Sequence, residues 1–168
     1  MKWIAISGSW RKLNDQVETD VRRTVREIFQ RGDGIVTGGA LGADYLATDE
    51  MLSLDGTLTH LKIFIPTPLY WYSKHYLKRA SEAVITFKQA NALARQLSLV
   101  QQINPQALIE NLKNQVVNQD TYYERDTAVV NSADELVAFQ VNYSAGTQDT
   151  INKARQKGIP VQIFSYTL

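Results

Sequence analysis

The sequence predicts a three-layer, Rossmann-like α/β fold in which helices cover both faces of a five-stranded, mainly parallel sheet. The first observation is that strand-like and helix-like segments alternate along the chain. The second is that the strand-like segments are short apolar runs that end at glycine or proline, as strands buried on both faces do. Parallel strands joined by right-handed helical crossovers carry helices on both sides of the sheet.

Local signals place each element. The pair Asp15 and Glu18 forms a capping-box pattern at the start of the first helix, although Asn14 is an alternative cap. Gly32 is placed to end that helix, after apolar residues at helical spacing. The predicted strands are Trp3–Ser7, Gly34–Thr37, His60–Ile65, Glu135–Phe139 and Val161–Phe164. The other crossover helices are predicted over about 43–54 and 147–157.

The middle of the chain predicts a helical insertion, about 73–119, between the third and fourth strands. Up to about Gln102 this segment has no glycine or proline and carries apolar residues at steps of three and four, which favours one long helix or two abutting ones. Asn104 and Pro105 then form an N-cap and first-turn pattern for a further helix. Its apolar face would consist of Leu108, Leu112 and Val116. Extra packing, a dimer surface and a cover over a ligand remain alternative roles for the insertion.

Length and composition exclude several classes of protein. The 168 residues suit a single domain, 1–168. The absence of cysteine excludes disulfides, thiolate metal sites and cysteine nucleophiles, and with only His60 and His75 available we predict no metal site. A net charge of +1 provides no broad basic surface for nucleic acid. No apolar stretch approaches the ~20 residues of a membrane-spanning helix, so we predict a cytoplasmic protein with no membrane partner.

Three loops that follow predicted strands carry the residues that suit a ligand. Open parallel sheets bind ligands beyond the carboxyl ends of their strands. Glycines allow close approach of the backbone, and free N–H groups at helix starts bind phosphate or another anion. Tight turns alone would also explain the glycines of any one loop, but three such loops on one edge favour an anion site. The candidate ligand-binding residues are Gly8, Ser9, Arg11, Gly38, Gly39, Ala40, Gly42, Asp44, Ser144, Gly146 and Thr147.

The helix before the fourth strand brings a further candidate to the same edge. A helix that precedes a parallel strand runs antiparallel to it and therefore starts at the strand's carboxyl end. Arg125, in the first turns of this helix, could clamp a phosphate through its planar fork of donors. Tyr122 or Tyr123 could stack on a base or line the pocket. The alternative is a solvated turn in which Asp126 or Glu124 pairs with Arg125.

These motifs resemble those of the SLOG superfamily, which is named for the Smf/DprA and LOG proteins. The resemblance lies in G-S-W-R over 8–11, G-G-A-L-G-A-D over 38–44, E-R-D over 124–126 and S-A-G-T over 144–147. The nearest branch is the YpsA-related one. The resemblance implies a Rossmann-like fold and a nucleotide or nucleotide-derived ligand.

Another branch of the superfamily, LOG, hydrolyses nucleoside monophosphates to free base and ribose phosphate. Its signature is an arginine-bearing helix start followed by P-G-G-x-G-T-x-x-E. The resemblance implies that Arg125 stands at the arginine position, whereas Thr150 stands where the catalytic glutamate would be. A threonine cannot supply the carboxylate that this hydrolysis needs. For an enzyme, the remaining catalytic candidates are Arg125, Asp126, Asp149 and Asp44.

The sequence therefore favours a module that binds a nucleotide or nucleotide-derived small molecule at the carboxyl edge of the sheet. A nucleoside-phosphate hydrolase of LOG type is one alternative. A scaffold that binds single-stranded DNA or forms oligomers through the helical insertion is the other. Two further branches of the superfamily set different precedents: DprA-like members bind single-stranded DNA, and relatives of LOG include a molybdenum-cofactor carrier. We expect a homo-oligomer and no cofactor beyond the nucleotide-like ligand. Nucleic acid is the less favoured partner.

Overall fold

A computed structural model describes all residues, 1–168, and is built on a fully parallel sheet. Its strands are β1 (Trp3–Gly8), β2 (Gly34–Thr37), β3 (Leu61–Ile65), β4 (Leu108–Glu110), β5 (Glu135–Val141) and β6 (Val161–Tyr166). Across the sheet they lie in the order β4-β3-β2-β1-β5-β6, and each neighbouring pair is parallel. The predicted Rossmann-like α/β class is confirmed, with six strands in place of five.

Six helices cover the two faces of this sheet. They are α1 (Asp15–Gln30), α2 (Ala43–Leu54), α3 (Leu69–Ser81), α4 (Phe87–Ile103), α5 (Gln119–Asn131) and α6 (Ala145–Lys157). Helices α1 to α4 share one buried cluster with the sheet, and α5 and α6 share a second cluster on the opposite face. None of the six combines the length and the apolar character that crossing a membrane requires.

The strands divide their side chains between these two clusters by strict alternation. In β1, Ile4 and Ile6 point into the larger cluster, whereas Ala5 points into the smaller one. Helix α1 enters the larger cluster from a defined start, because the side chain of Asn14 accepts a hydrogen bond of 2.9 Å from the backbone N–H of Val17. Asn14 is therefore the cap of α1.

The sixth strand lies where the sequence predicted a helix. Asn104 does cap a turn, since its side chain accepts from the N–H of Gln106, but only a single 3₁₀ turn follows, over Pro105–Ala107. The chain then enters β4, which pairs with β3 at the edge of the sheet. The residues expected on the helix's apolar face do not share a face, because Leu108 is buried while Leu112 is 76% exposed. A three-residue strand is too short to show an alternating pattern, so the spacing of the apolar residues wrongly indicated a helix.

The rest of the predicted insertion is the crossover from β3 to β4, made of two helices. Helix α3 starts earlier than predicted, at Leu69 directly after Pro68. It ends at Ser81, and Ala83, whose φ is 59°, turns the chain away from the helix axis. A capping box of Thr86 and Gln89 then starts α4. The segment 73–119 is thus two packed helices and an edge strand.

The order of the strands reverses between β1 and β5. From β1 the chain proceeds outward to β2, β3 and β4, and it then returns across the sheet through α5 to form β5 on the other side of β1. The connections that leave β1 and β5 therefore diverge to opposite sides, and a crevice opens beyond the carboxyl ends of these two strands. This crevice is where the fold favours a ligand.

Candidate functional site

A cleft of about 520 Å³ lies beyond the carboxyl ends of the central strands, at this switch point. It is bordered by the loops after β1 and β2, by one side of α3 and by the first turns of α5 and α6. The predicted site residues that line it are Gly8, Ser9, Gly38, Ala40, Asp44, Arg125, Asp126, Ser144, Gly146 and Thr147. The structure thus brings together turns that are more than 100 residues apart in the chain.

Four predicted site residues lie outside the lining. The side chain of Arg11 is exposed and rests on the ring of Trp10, 5.2 Å from its centroid. Gly39 and Gly42 belong to the loop that follows β2, where Gly39 packs on β3 and Gly42 packs on the loop after β1. Asp149 lies beside Asp126 and forms an ion pair of 2.5 Å with Lys153 along α6.

The loop after β2 binds its own acidic side chain. The Oδ2 atom of Asp44 accepts hydrogen bonds from the N–H of Gly38 at 3.1 Å and from the N–H of Ala40 at 3.3 Å. The N–H of Ala43, at the start of α2, donates to the carbonyl of Ser9 at 3.1 Å. We expected donors of this loop to bind a ligand, but protein oxygens accept from the N–H groups of Gly38, Ala40 and Ala43 in the structure.

Gly42 joins the first two loops. Its φ is +74°, and a Cβ atom at this position would overlap the carbonyl oxygen of Ser9. The two loops therefore approach more closely than any other residue would allow. The glycine has a structural reason that does not involve a ligand.

The start of α6 contrasts with the start of α2. No side chain caps α6, since the hydroxyl of Ser144 donates to the hydroxyl of Thr147 at 2.7 Å. The N–H groups of the first turn, at residues 145–147, have no partner inside a helix. A Cβ atom added at Gly146 would meet no atom within 4 Å, so the cleft is open above this turn. Free N–H groups at a helix start, together with the helix dipole, favour an anion at this end of the cleft.

Arg125 lies between the two ends of the cleft. Its side chain is only 10% exposed and lies flat against Gly38, whose Cα would place a Cβ 2.6 to 2.8 Å from three guanidinium atoms. Nη1 donates to the carbonyl of Gly38, and Nε donates to Oδ1 of Asp126 at 2.9 Å. Nη2 has no hydrogen-bond partner in the protein. Because it is not fully buried and Arg125 lines the cleft, Nη2 is open to the cleft. The planar fork is fixed and retains free donors for a ligand.

Aromatic side chains of α3 and α5 form one wall of the cleft, which consists of His75, Tyr76 and Tyr122, with Tyr72 packed against Tyr76. The hydroxyl of Tyr72 donates to the carbonyl of Gly39 at 3.0 Å, and the hydroxyl of Tyr122 lies 3.3 Å from Nε2 of His75. The guanidinium of Arg125 lies 5.2 Å from the centroid of the Tyr122 ring. Burial, followed by the charge of nearby arginine and lysine side chains, lowers the pKa of His75.

Sequence reasoning missed the contribution of α3. His75, Tyr76 and Arg79 line the cleft, although none of them was among the predicted site residues. No local signal marks these residues as lining residues, because the position of α3 depends on tertiary packing, chiefly against α4. Of the two tyrosines proposed for stacking, Tyr122 lines the cleft.

Two buried carboxyl groups complete the lining. Burial raises the pKa of Asp44 to about 6, although the charge of Arg125 opposes this shift. Burial also raises the pKa of Asp126, and the adjacent carboxyl of Asp149 adds to that effect. Thr150, at the position where LOG proteins carry glutamate, is buried and donates its hydroxyl to the carbonyl of Gly146 at 3.2 Å. Nowhere do three or more metal-ligating side chains gather.

The sheet order and the position of the cleft define a Rossmann-like α/β protein with a switch-point cleft. No family model matches the chain, and no curated protein matches it in sequence. Solved structures do match it. DNA processing protein A from Helicobacter pylori, described with a single-stranded DNA binding mode, superposes with a TM-score of 0.69 at 19% identity, over 96% of this chain and 64% of that one. The chain therefore spans less than two thirds of that protein.

Two molybdenum-cofactor proteins have the same fold. The molybdenum cofactor binding protein of Rippkaea orientalis matches with a TM-score of 0.61 and 14% identity, over 98% of this chain and 76% of that one. The molybdenum cofactor carrier protein of Chlamydomonas reinhardtii matches with a TM-score of 0.57 and 14% identity, over 97% and 76%. The chain shares the Rossmann-like fold of these proteins, whereas membership of the SLOG superfamily and of its YpsA-related branch stays a prediction from the motifs.

Proposed function

We propose that the protein binds a phosphate-bearing, nucleotide-derived ligand in the switch-point cleft. The observation that carries the proposal is the juxtaposition of the uncapped first turn of α6 with the free Nη2 of Arg125. A helix start and a fixed guanidinium are the two groups that bind phosphate most readily in proteins. The aromatic wall offers the ring of Tyr122 to the remainder of such a ligand.

The neighbours in fold support this proposal by what they bind. The Helicobacter pylori protein is described as binding single-stranded DNA, and two others as binding or carrying the molybdenum cofactor. Thr150 argues against hydrolysis by the LOG route, because its hydroxyl is bonded inside α6 and no carboxylate stands there. Binding therefore fits the lining better than turnover. A cytoplasmic location and association of several copies remain predictions.

A ligand panel tests the proposal directly. The unaltered protein is screened by thermal shift with nucleoside phosphates, ADP-ribose derivatives and pterins, and binding is then measured by calorimetry. A ligand at 100 times its dissociation constant should stabilise the protein by ~2.7 kcal/mol. Arg125→Lys keeps the charge that balances Asp126 but loses the planar fork, so it should bind the ligand more weakly while remaining folded.

Gly146→Val gives a second test, with Gly56→Val as its matched control. An added Cβ would meet no protein atom at either glycine, but only Gly146 borders the cleft. Gly146→Val should therefore weaken binding at least about tenfold, and Gly56→Val should leave it unchanged. A panel without any binding, or equal affinity in the two valine variants, would contradict the proposal.

Single-stranded nucleic acid is a second candidate, favoured by one surface feature. Tyr70 and Trp71 are exposed at the start of α3 with their rings 5.0 Å apart, and the Nζ of Lys74 lies 4.6 Å from the centre of the Tyr70 ring. Aromatic rings beside a cation can stack bases and contact the backbone. Fluorescence anisotropy with a labelled oligothymidylate tests this. Salt-sensitive binding that Trp71→Ala weakens would support it, and no binding at low salt would dismiss it.

A further inference from the structure

Asp44 has one carboxylate oxygen that the protein does not use. Asp44 is only 6% exposed, and its Oδ2 atom already accepts hydrogen bonds from the backbone N–H groups of Gly38 and Ala40. Oδ1 has no hydrogen-bond partner but is not fully buried, and Asp44 lines the cleft. A nearly buried carboxylate therefore directs one fixed, unpaired acceptor into the cleft. Such an atom is costly unless water or a ligand donor satisfies it.

We infer that the cleft selects a ligand that carries a hydrogen-bond donor, a hydroxyl or N–H group that reaches Oδ1 of Asp44, in addition to the anionic group that binds at α6. This inference rests on the proposed function and specifies the ligand class within it. The donor is a sugar hydroxyl or an N–H group on the edge of a base. Both sources share one chemistry, which is donation to a carboxylate oxygen.

The charges around the cleft are consistent with this polarity. Two lining carboxyl groups, Asp44 and Asp126, lie near the guanidinium of Arg125, whereas the other lining guanidinium, that of Arg79, forms an ion pair of 3.1 Å with Glu82. A second anionic group near Asp44 would be repelled, whereas an uncharged donor would gain a charge-assisted hydrogen bond. The α6 end has no carboxylate among residues 144–147 and offers N–H groups instead. One end of the cleft thus binds an anion and the other accepts a donor.

Asp44→Asn is the variant that separates the two ends. The asparagine has nearly the same shape, and its carbonyl oxygen can keep the bonds from Gly38 and Ala40, which places the amide N–H₂ at the position of Oδ1. The cleft would then present an amide N–H to the donor group of the ligand, and no hydrogen bond could form between them. Asp149→Asn is the matched control, because it removes one carboxylate near the cleft at a residue that does not itself line it. Circular dichroism and thermal melting establish that both variants are folded.

Calorimetry measures the binding of five probes to each protein: inorganic pyrophosphate, AMP, 2′,3′-dideoxy-AMP, GMP and IMP. Asp44→Asn should weaken AMP or GMP roughly tenfold or more, the effect of losing a hydrogen bond to a charged group. It should leave pyrophosphate as tight as before or tighter. In the unaltered protein, weaker binding of dideoxy-AMP than AMP identifies a sugar hydroxyl as the donor. Weaker binding of IMP than GMP identifies the base amino group.

The outcomes distinguish this inference from the proposed function. If pyrophosphate and the nucleotides bind, but Asp44→Asn changes none of them or weakens all of them equally, the donor-selective role is overturned and the anion site stands. If Asp149→Asn reproduces the effect, charge and not the Oδ1 contact is responsible, and the inference is again overturned. If no probe binds the unaltered protein, the proposed function fails and this inference fails with it. The comparisons within the unaltered protein do not depend on the folding of any variant.

Discussion

The connections that follow β2 and β5 are both strand–turn–helix units at the same edge of the sheet, but they treat their backbone donors in opposite ways. After β2, the carboxylate of Asp44 and the carbonyl of Ser9 accept from the N–H groups of the turn. After β5, no side chain caps the turn of Ser144 to Thr147, which borders the cleft. Protein oxygens accept from the donors of one turn, whereas the donors of the other turn stay free beside the cleft.

The comparison shows that a glycine-rich turn need not be the turn with free N–H donors. The turn after β2 has three glycines, and packing explains at least two of them, because Gly42 touches the loop after β1 and Gly39 packs on β3. The turn after β5 has one glycine, Gly146, and no protein atom lies within 4 Å of where its Cβ would be. The glycine-rich motif builds the back of the cleft, and the less conspicuous turn offers the donors.

The largest effect is expected for Gly42→Ala. The substitution puts a Cβ against the carbonyl of Ser9 in a residue with φ of +74°, so we expect a loss of more than about 4 kcal/mol in the free energy of unfolding, or no folded protein. Gly158→Ala is the control, since its φ is +80° but nothing lies within 4 Å. It should cost only about 1–2 kcal/mol. Urea denaturation measures both, and equal losses would show that the loops do not meet at Gly42.

The second effect is a pH dependence that Asp44 introduces. Its folded pKa is raised from 3.8 to about 6, so the protonated form is favoured by folding. The resulting stabilisation is complete below about pH 4 and is lost as the pH rises through 6. The facing groups are Arg125 and Asp126 of α5 and Tyr72 of α3.

Asp44→Asn removes this titration and provides the reference. The free energy of unfolding of the unaltered protein, relative to Asp44→Asn, should fall by up to ~3 kcal/mol between pH 4 and pH 7. Chemical denaturation at a series of pH values measures the difference. A difference that is constant or rises with pH would mean that Asp44 is not held in the low-dielectric position described here.

The contrast between the two turns also shows where sequence reasoning succeeds. Short apolar runs and glycine stops suffice for the fold class and for α2, whose predicted limits match Ala43–Leu54, because these signals are local. The prediction of a helix at the edge strand β4 was wrong, because Leu108 and its neighbours have a helical spacing and only pairing with β3 makes them a strand. Local pattern determines elements, and pairing partners determine edges.

For the site, the sequence placed the right loops at one edge but could not assign their donors. Parallel topology alone brings residues 38–44 and 144–147 to the same side of the sheet. Which N–H groups remain free depends on whether a side chain such as Asp44 turns back on its own loop, and no spacing rule encodes that choice. The lining from α3, including His75, depends on helix packing and was missed for the same reason.

The smallest effect is expected where the protein itself gives no reason for a glycine. Gly146→Ala should raise the free energy of unfolding of the ligand-free protein by roughly 0.5–1 kcal/mol, because alanine loses less backbone entropy in a helix and meets no atom here. The gain should accompany weaker binding of the ligand found in the panel, since the methyl group projects into the cleft above the open N–H groups. Thermal denaturation with and without that ligand measures both. A variant that is more stable and binds equally well would show that Gly146 is not kept small for a ligand, whereas a less stable one would show that the first turn of α6 is not helical as described.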